Sequence, residues 1–183
     1  MTLQTLLADG LERLQLVMTN DKQRKLIDYA ALIGKWNRVY NLTALREPEK
    51  VLTHHILDSL AVVPHIGAHT ILDVGSGAGL PGIPIALALP DTQVTLLDSS
   101  QKKCAFLKQV VIELNLDNVD VACTRIEAWQ THKRFDLVIS RAFAELAKFA
   151  VPAARLCAQG GTLLAMKGMD PIGEIRQLPN DFR

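Results

Sequence analysis

Cysteine is scarce in this 183-residue chain, and the three present, Cys104, Cys123 and Cys157, are scattered and lack any CxxC spacing. Neither a disulfide frame nor a zinc site is expected, and each cysteine reads as a small apolar core residue. Long hydrophobic runs are missing too: no stretch approaches the ~18 uninterrupted apolar residues that a membrane span needs. The start, Met1 to Leu7, shows no basic region followed by an apolar stretch, so the expectation is a cytoplasmic protein without membrane contact. Charge of one sign is also lacking. A formal net charge of +1 excludes the global electrostatic footprint of a strongly basic nucleic-acid binder, so any such contact must come from a local patch. There is no internal repeat, low-complexity tract or linker. A hydrophobic fraction of 49% is enough for a core, and the length suits one domain.

The chain changes texture near residue 67. Before it, helical periods dominate. Leu3, Leu6, Leu7, Leu11 and Leu14 form one stripe, interrupted mildly by Gly10. A second helix is predicted to start at Asn20 as cap, with Gln23 reaching back, and to carry an apolar face of Leu26, Tyr29, Ala30, Ile33 and Trp36. A third opens at Glu47-Pro48-Glu49 and runs to about Val63, ahead of Pro64. From Thr70 onward, strands are predicted at 70–74, 93–97, 119–123, 135–140 and 161–166. Helices fit between them at 81–89, 101–114 and about 144–158. This alternation predicts an α/β fold, Rossmann-like, with a mostly parallel sheet covered by helices on both faces. Residues 1–66 would be an N-terminal helical cap on a core spanning 67–183.

The strongest local signal is Ile71-Leu72-Asp73-Val74-Gly75-Ser76-Gly77-Ala78-Gly79-Leu80-Pro81-Gly82. A buried strand ends in an acid, a glycine-rich turn follows, and a proline opens a helix. Without Cβ atoms, Gly75, Gly77 and Gly79 permit positive φ and let a ligand approach the backbone. A pyridine-nucleotide site would want GxGxxG, with a glycine where this chain has Leu80. GxGxG preceded by Asp73 suits instead a phosphate-free ligand carrying cationic groups, and S-adenosylmethionine is one. Asp98 ends the second strand, roughly 20 residues after the first glycine, where such folds place an acid on ribose hydroxyls; a helix cap before Ser99 and Gln101 is the competing reading. Ile126 and Glu127, past the third strand, are candidates to hold an adenine ring and its amino group.

The fourth strand ends Ile139-Ser140-Arg141-Ala142-Phe143, without the Asn/Asp-Pro-Pro-aromatic segment used on exocyclic amines. Cys104 and Cys123 fall on packed faces, so no cysteine nucleophile is evident. The acceptor should therefore be an atom already nucleophilic at neutral pH. Guanine N7 is one, and methylating it needs positioning rather than a general base, so no catalytic residue is assigned. Arg125, Arg141 and Lys167 follow the third, fourth and fifth strands and would make a positive rim for RNA phosphates, with Phe143 stacking on an extruded base. Solvated charges and a core phenylalanine are the competing reading. His54 and His55 with Asp58 do not make a metal site, since no third ligand or HExxH pattern is nearby; His54 is assigned instead to hydrogen bonding or substrate contact.

Asn41-Leu42-Thr43-Ala44, His54-His55-Ile56-Leu57-Asp58-Ser59, Asp73 through Pro84, Leu96-Leu97-Asp98-Ser99 and Ser140-Arg141-Ala142-Phe143 together resemble the RsmG family, also called glucose-inhibited division protein B. The resemblance spans nearly the whole chain. It implies a bacterial enzyme that methylates N7 of one guanine in small-subunit (16S) ribosomal RNA with S-adenosylmethionine. It also implies cofactor contacts from Gly75, Leu80, Ile126 with Glu127, and Arg141, the last of which also or instead meets RNA. Two further strands are implied after a helix near Ile172 to Leu178, beyond Arg183. The partner would be the RNA or the 30S particle, with no obligate protein partner and a monomeric enzyme. Two other readings remain: a methyltransferase for a small molecule or protein, and a non-catalytic ribosomal RNA-binding module. The intact glycines and Asp98 argue against the module, and the basic rim and cap motifs favour RNA over other substrates.

Overall fold

The computed structural model describes residues 2–141, 145–168, 171–179 and 182. Leucine spacing makes α1 (Leu3–Arg13) one-sided, with Leu7 and Leu11 buried and the Thr2 hydroxyl accepting from the Thr5 N–H at its start. The second helix, α2 (Asn20–Tyr40), is capped by Thr19 and not by Asn20: the Thr19 side chain accepts from the Lys22 N–H. Both residues can cap, and the extended backbone at Thr19 decides between them. Gln23 does reach back, to the Met18 carbonyl at 2.9 Å. Asn41 ends α2 in the left-handed conformation, φ 48°, which asparagine tolerates. Trp36 packs against Phe106 across 5.4 Å, which docks the cap on the core.

The third helical stretch departs from a regular helix. It comprises α3 (Pro48–Val51), a π-helical turn over Leu52–Leu57 and α4 (Asp58–Leu60), followed by a separate 3₁₀ turn at Val63–His65 that takes Pro64 in its first turn. The wide turn covers the His54-His55 pair. Such turns are rare and concentrate at functional positions. Gly10 of α1 lies against this turn, where a Cβ would fall 2.3 Å from a Leu57 methyl.

Among the described residues, β1 (Thr70–Val74), β2 (Gln93–Asp98), β3 (Val119–Cys123), β4 (Phe135–Arg141) and β5 (Cys157–Met166) form an all-parallel sheet in the order β3-β2-β1-β4-β5. The intervening helices are α5 (Gly82–Ala88), α6 (Gln101–Glu113) and α7 (Leu146–Ala154), with α8 (Ile172–Ile175) after β5. Alternation along the strands divides the core. Ile71, Leu96, Leu137 and Ile139 pack with α2, α5 and α6, whereas Leu72, Leu97 and Val138 pack with Phe149 and Ala153 of α7. The chain thus changes faces between β3 and β4, and β1 and β4 flank the switch point where ligands bind in open parallel sheets.

Two sequence expectations are corrected here. Strand β5 starts at Cys157, four residues before Gly161, and α7 correspondingly stops at Ala154; the segment Cys157 to Gly160 carries no strand alternation, and its pairing with β4 is what extends it. The second correction concerns the cysteines: Cys104 and Cys123 are joined as a disulfide, Cα atoms 5.9 Å apart, between the first turn of α6 and the end of β3. Each lies on the packed face foreseen for it, and the two faces meet.

Beneath the first strand-to-helix turn, Asp73 is fully buried, with Oδ2 accepting from the Gly82 N–H at 2.9 Å. Gly82 is obligatory on packing grounds, since a Cβ there would lie 2.3 Å from a Leu96 methyl and 2.8 Å from Asp73 Oδ2. Asp73 Oδ1 has no hydrogen-bond partner among the described residues. Burial pushes the Asp73 carboxyl up from the usual 3.8 to about 7, against the pull of the Gly82 N–H. The folded protein therefore keeps this proton to higher pH than the unfolded chain does, and the resulting stabilisation is full in acid and is lost as pH rises through about 7. Asp73→Asn keeps the acceptor for Gly82 and is neutral at every pH. Urea unfolding between about pH 4 and pH 8 should show the wild-type stability declining relative to the variant; parallel curves would mean that Asp73 titrates as an ordinary carboxyl.

Candidate functional site

The glycine turn is shaped by hydrogen bonds to its own strand neighbours. Gly75 N–H and Ser76 N–H both donate to the Leu97 carbonyl, at 2.8 and 3.0 Å, and Gly79 N–H and Leu80 N–H both donate to the Ser76 carbonyl, at 2.7 and 2.9 Å. These contacts need positive φ at Gly75, Gly77 and Gly79, which are 71°, 59° and 90°. From β2, Asp98 closes the turn sideways. Its Oδ2 accepts from the Gly77 N–H at 2.9 Å and its Oδ1 from the Ser100 N–H at 2.8 Å, with Lys103 Nζ 3.9 Å away. Asp98 thus accepts from one backbone amide in the turn and one just before α6, and it lines the cavity beside the turn. Each oxygen keeps a second lone pair, so a ribose hydroxyl can still donate to it.

That cavity, about 530 Å³, opens at the carboxyl ends of β1 to β4. Gly75, Asp98, Arg125, Ile126, Glu127 and Arg141 line it, together with Ser99, Lys103 and Lys148. Its size lies in the usual range for small-molecule sites. The other residues singled out from the sequence sit elsewhere. Asp73, Gly79 and Leu80 lie beneath or behind the turn, where they shape it. Gly77 contributes its amide to Asp98 and has open space on its Cα, a Cβ meeting only the Gly75 carbonyl at 3.8 Å. His54 is exposed and is not on the cavity wall; its Nδ1 is 2.7 Å from Thr53 Oγ1. Lys167 is not on the cavity wall: its Nζ pairs with Glu174 of α8 at 2.9 Å. The ammonium holds the Glu174 carboxyl below its ordinary range. Phe143 lies outside the described residues.

Ile126 is buried and Glu127 exposed in a 3₁₀ turn, Ile126–Ala128, that Arg155 clamps by donating to the Ile126 and Trp129 carbonyls. An apolar wall beside a free carboxylate is suited to a purine with an amino group. Arg141, last in β4, shares the alternation of Leu137 and Ile139 and so turns toward the cap. There it donates to Asp58 Oδ2 at 3.1 Å and to the His54 carbonyl at 3.3 Å. Among the described residues no cluster of histidine, cysteine and carboxylate side chains could hold a metal ion.

Sequence reasoning missed how the cap reaches this site. Tyr29 was assigned to an apolar helix face, yet its buried hydroxyl donates to the Ala78 carbonyl in the glycine turn at 2.5 Å. Thr43 enters the sequence analysis only within a motif, and His55 and Asp58 only within a motif and as rejected metal ligands; no contact between them and Arg141 follows from their spacing.

The family model described as rRNA small subunit methyltransferase G matches residues 22–183. The ribosomal RNA small subunit methyltransferase G of Nitrosospira multiformis is 55% identical, covering 97% of this chain and 86% of the relative. The protein of that name from Laribacter hongkongensis is 50% identical, covering 99% and 87%. Among solved structures, the ribosomal protein L11 methylase of Lactobacillus delbrueckii subsp. bulgaricus superposes with a TM-score of 0.55 at 18% identity, over 68% of this chain and 65% of that one. The fold is that of the Rossmann-like class I methyltransferases, and the chain belongs to the rRNA small subunit methyltransferase G family.

Proposed function

We propose that this protein transfers a methyl group from S-adenosylmethionine to N7 of a guanine in small-subunit ribosomal RNA. The observation that carries the reading is the cavity at the switch point, which combines a glycine turn, Asp98, the Ile126-Glu127 turn and the basic side chains of Lys103, Arg125, Arg141 and Lys148. The residues fit the cofactor: Gly75 lines the cavity and Gly77 leaves room beside the backbone, Asp98 has lone pairs for ribose hydroxyls, and Ile126 with Glu127 suits adenine. When bound, S-adenosylmethionine supplies an electrophilic methyl group on a sulfonium centre.

The protein's part is orientation. Guanine N7 carries a free lone pair, so no proton has to be removed first, and alignment alone is worth up to roughly 7–11 kcal/mol in favourable cases. Cysteine placement supports an acceptor of this kind. Cys104 and Cys123 are joined to each other, and Cys157 starts β5 at the opposite edge of the sheet from the cavity. Arg125, Lys103, Lys148 and Arg141 stand around the opening with the acids Asp98, Glu127 and Glu145, and Lys103, Lys148 and Arg141 are each paired with a carboxylate; their positive charges are suited to RNA phosphates despite the small net charge. Among the described residues no helix is long and apolar enough to cross a membrane. We place the reaction in the cytoplasm, on the RNA or the 30S particle, by a monomer.

With labelled S-adenosylmethionine, purified protein should label 16S RNA, free or in 30S particles, at a single guanine. Borohydride reduction and aniline scission, which cut at N7-alkylated guanine, should give one new end. Label confined to protein or to small molecules would overturn the substrate assignment. Gly77→Asp should weaken cofactor binding more than tenfold by calorimetry, because a non-glycine residue at φ 59° costs ~1–3 kcal/mol and the new carboxylate would face Asp98. Unchanged affinity would mean that the cofactor does not use this turn.

A further inference from the structure

The cap motifs converge on one side chain of the core. Arg141 is mostly buried, 16% exposed in its side chain, and Asp58 is 52% exposed. Besides Asp58 and the His54 carbonyl, the Arg141 guanidinium faces a third group: its NH2 lies 3.2 Å from His55 Nδ1. On the far side of the ring, His55 Nε2 lies 2.6 Å from Thr43 Oγ1.

His55 Nδ1 lies between a donor, Arg141 NH2 at 3.2 Å, and an acceptor, the His54 carbonyl at 3.1 Å. A guanidinium only donates, so Arg141 can bond the ring only when Nδ1 is unprotonated and the ring hydrogen is on Nε2. In that tautomer Thr43 Oγ1 accepts from Nε2 with one lone pair and from the Leu45 N–H, at 3.2 Å, with the other. The loop Asn41 to Leu45 is in turn tied to α2 through Asn37, which accepts from the Thr43 N–H and donates to the Leu45 carbonyl. Protonation would reverse the arrangement. A hydrogen on Nδ1 would face the Arg141 guanidinium with like charge and would turn toward the His54 carbonyl, 3.1 Å away, which Arg141 now uses.

We propose that His55, held by Thr43 and acting with Asp58, is a positioning residue for Arg141, and that methyl transfer requires His55 neutral with its proton on Nε2. This rests on the methyltransferase reading and names a requirement of that site. The charged groups facing His55 are Arg141 from β4, and Asp58 and His54 from its own helical stretch. Tyr29 of α2 and Asp73 of β1 lie within electrostatic reach of Arg141. Burial first, and then the Arg141 charge, lower the His55 pKa below its ordinary 6.5, so the neutral ring predominates at neutral pH and is lost only in acid.

The test compares the whole protein with His55→Asn, whose amide oxygen can take the place of Nδ1 but does not titrate, and with His55→Leu, which offers no acceptor. Nitrogen-15 NMR of the wild type should show the Nε2–H tautomer at pH 7.5 and a titration below 6.5. In ribosomal RNA methylation, wild-type kcat/KM should fall on acidification in step with that titration. His55→Asn should recover most of the activity and lose that acid-side fall, although Asp73 also titrates near this range and contributes equally to both proteins. His55→Leu should show a kcat/KM about tenfold below that of His55→Asn at every pH, the order expected for a lost hydrogen bond to a charged group, with a similar melting temperature. An Nδ1–H tautomer, equal activities of the two variants, or an acid-side fall in His55→Asn as large as that of the wild type would each overturn the proposal. Absence of transfer by the wild type at every pH would instead overturn the proposed function, and the requirement with it.

Discussion

Two carboxylates hold the glycine turn, and the geometry at the strand ends depends on them. Asp73 grips the start of α5 from below through Gly82, and Asp98 grips the turn from the side through Gly77. With the Gly75 and Ser76 amides on the Leu97 carbonyl, these bonds fix the first turn against the second strand. A backbone turn of left-handed glycines has little rigidity of its own. Its stiffness is borrowed from buried acids, one of which remains half-satisfied.

The cap completes the site from above. Its buried face supplies adhesion, with Leu26, Tyr29, Ile33, Leu52 and Ile56 essentially without solvent exposure. Its polar residues supply direction: Tyr29 reaches the glycine turn, and Asp58 and His55 meet Arg141 at the end of β4. The π-helical turn at Leu52–Leu57 carries His55, and Asp58 follows it as the first residue of α4. Cap and core are thereby one hydrogen-bonded unit around the cavity, which explains how a chain with almost no net charge can keep a cation at a defined position: local partners orient Arg141, and the overall charge plays no part.

Much of the site was legible because its requirements are local. Three glycines at alternate positions between a strand and a helix imply a turn of positive φ, whatever surrounds them, and Asp98 follows from strand length and spacing. Lys167 shows where this reasoning ends. Its place after the fifth strand suggested a rim residue, whereas α8 folds back and engages it with Glu174. The cysteines make the same point, since Cys104 and Cys123 were each placed on the right face while nothing in their spacing disclosed that the faces coincide. Strand β5 likewise begins where a neighbouring strand offers hydrogen bonds, before its own alternation would begin it.

The amino-acid order by itself determined the alternation of strands and helices, the direction of the sheet, the glycine turn and its acid, because periodicity and backbone sterics act over a few residues. Tertiary structure alone decided which side chains meet across long separations: Tyr29 with Ala78, His55 with Arg141, Thr43 with His55, Lys167 with Glu174. Those pairings depend on how helices are laid against the sheet. That placement is set by the packing of many apolar side chains at once, and no short segment of the chain encodes it.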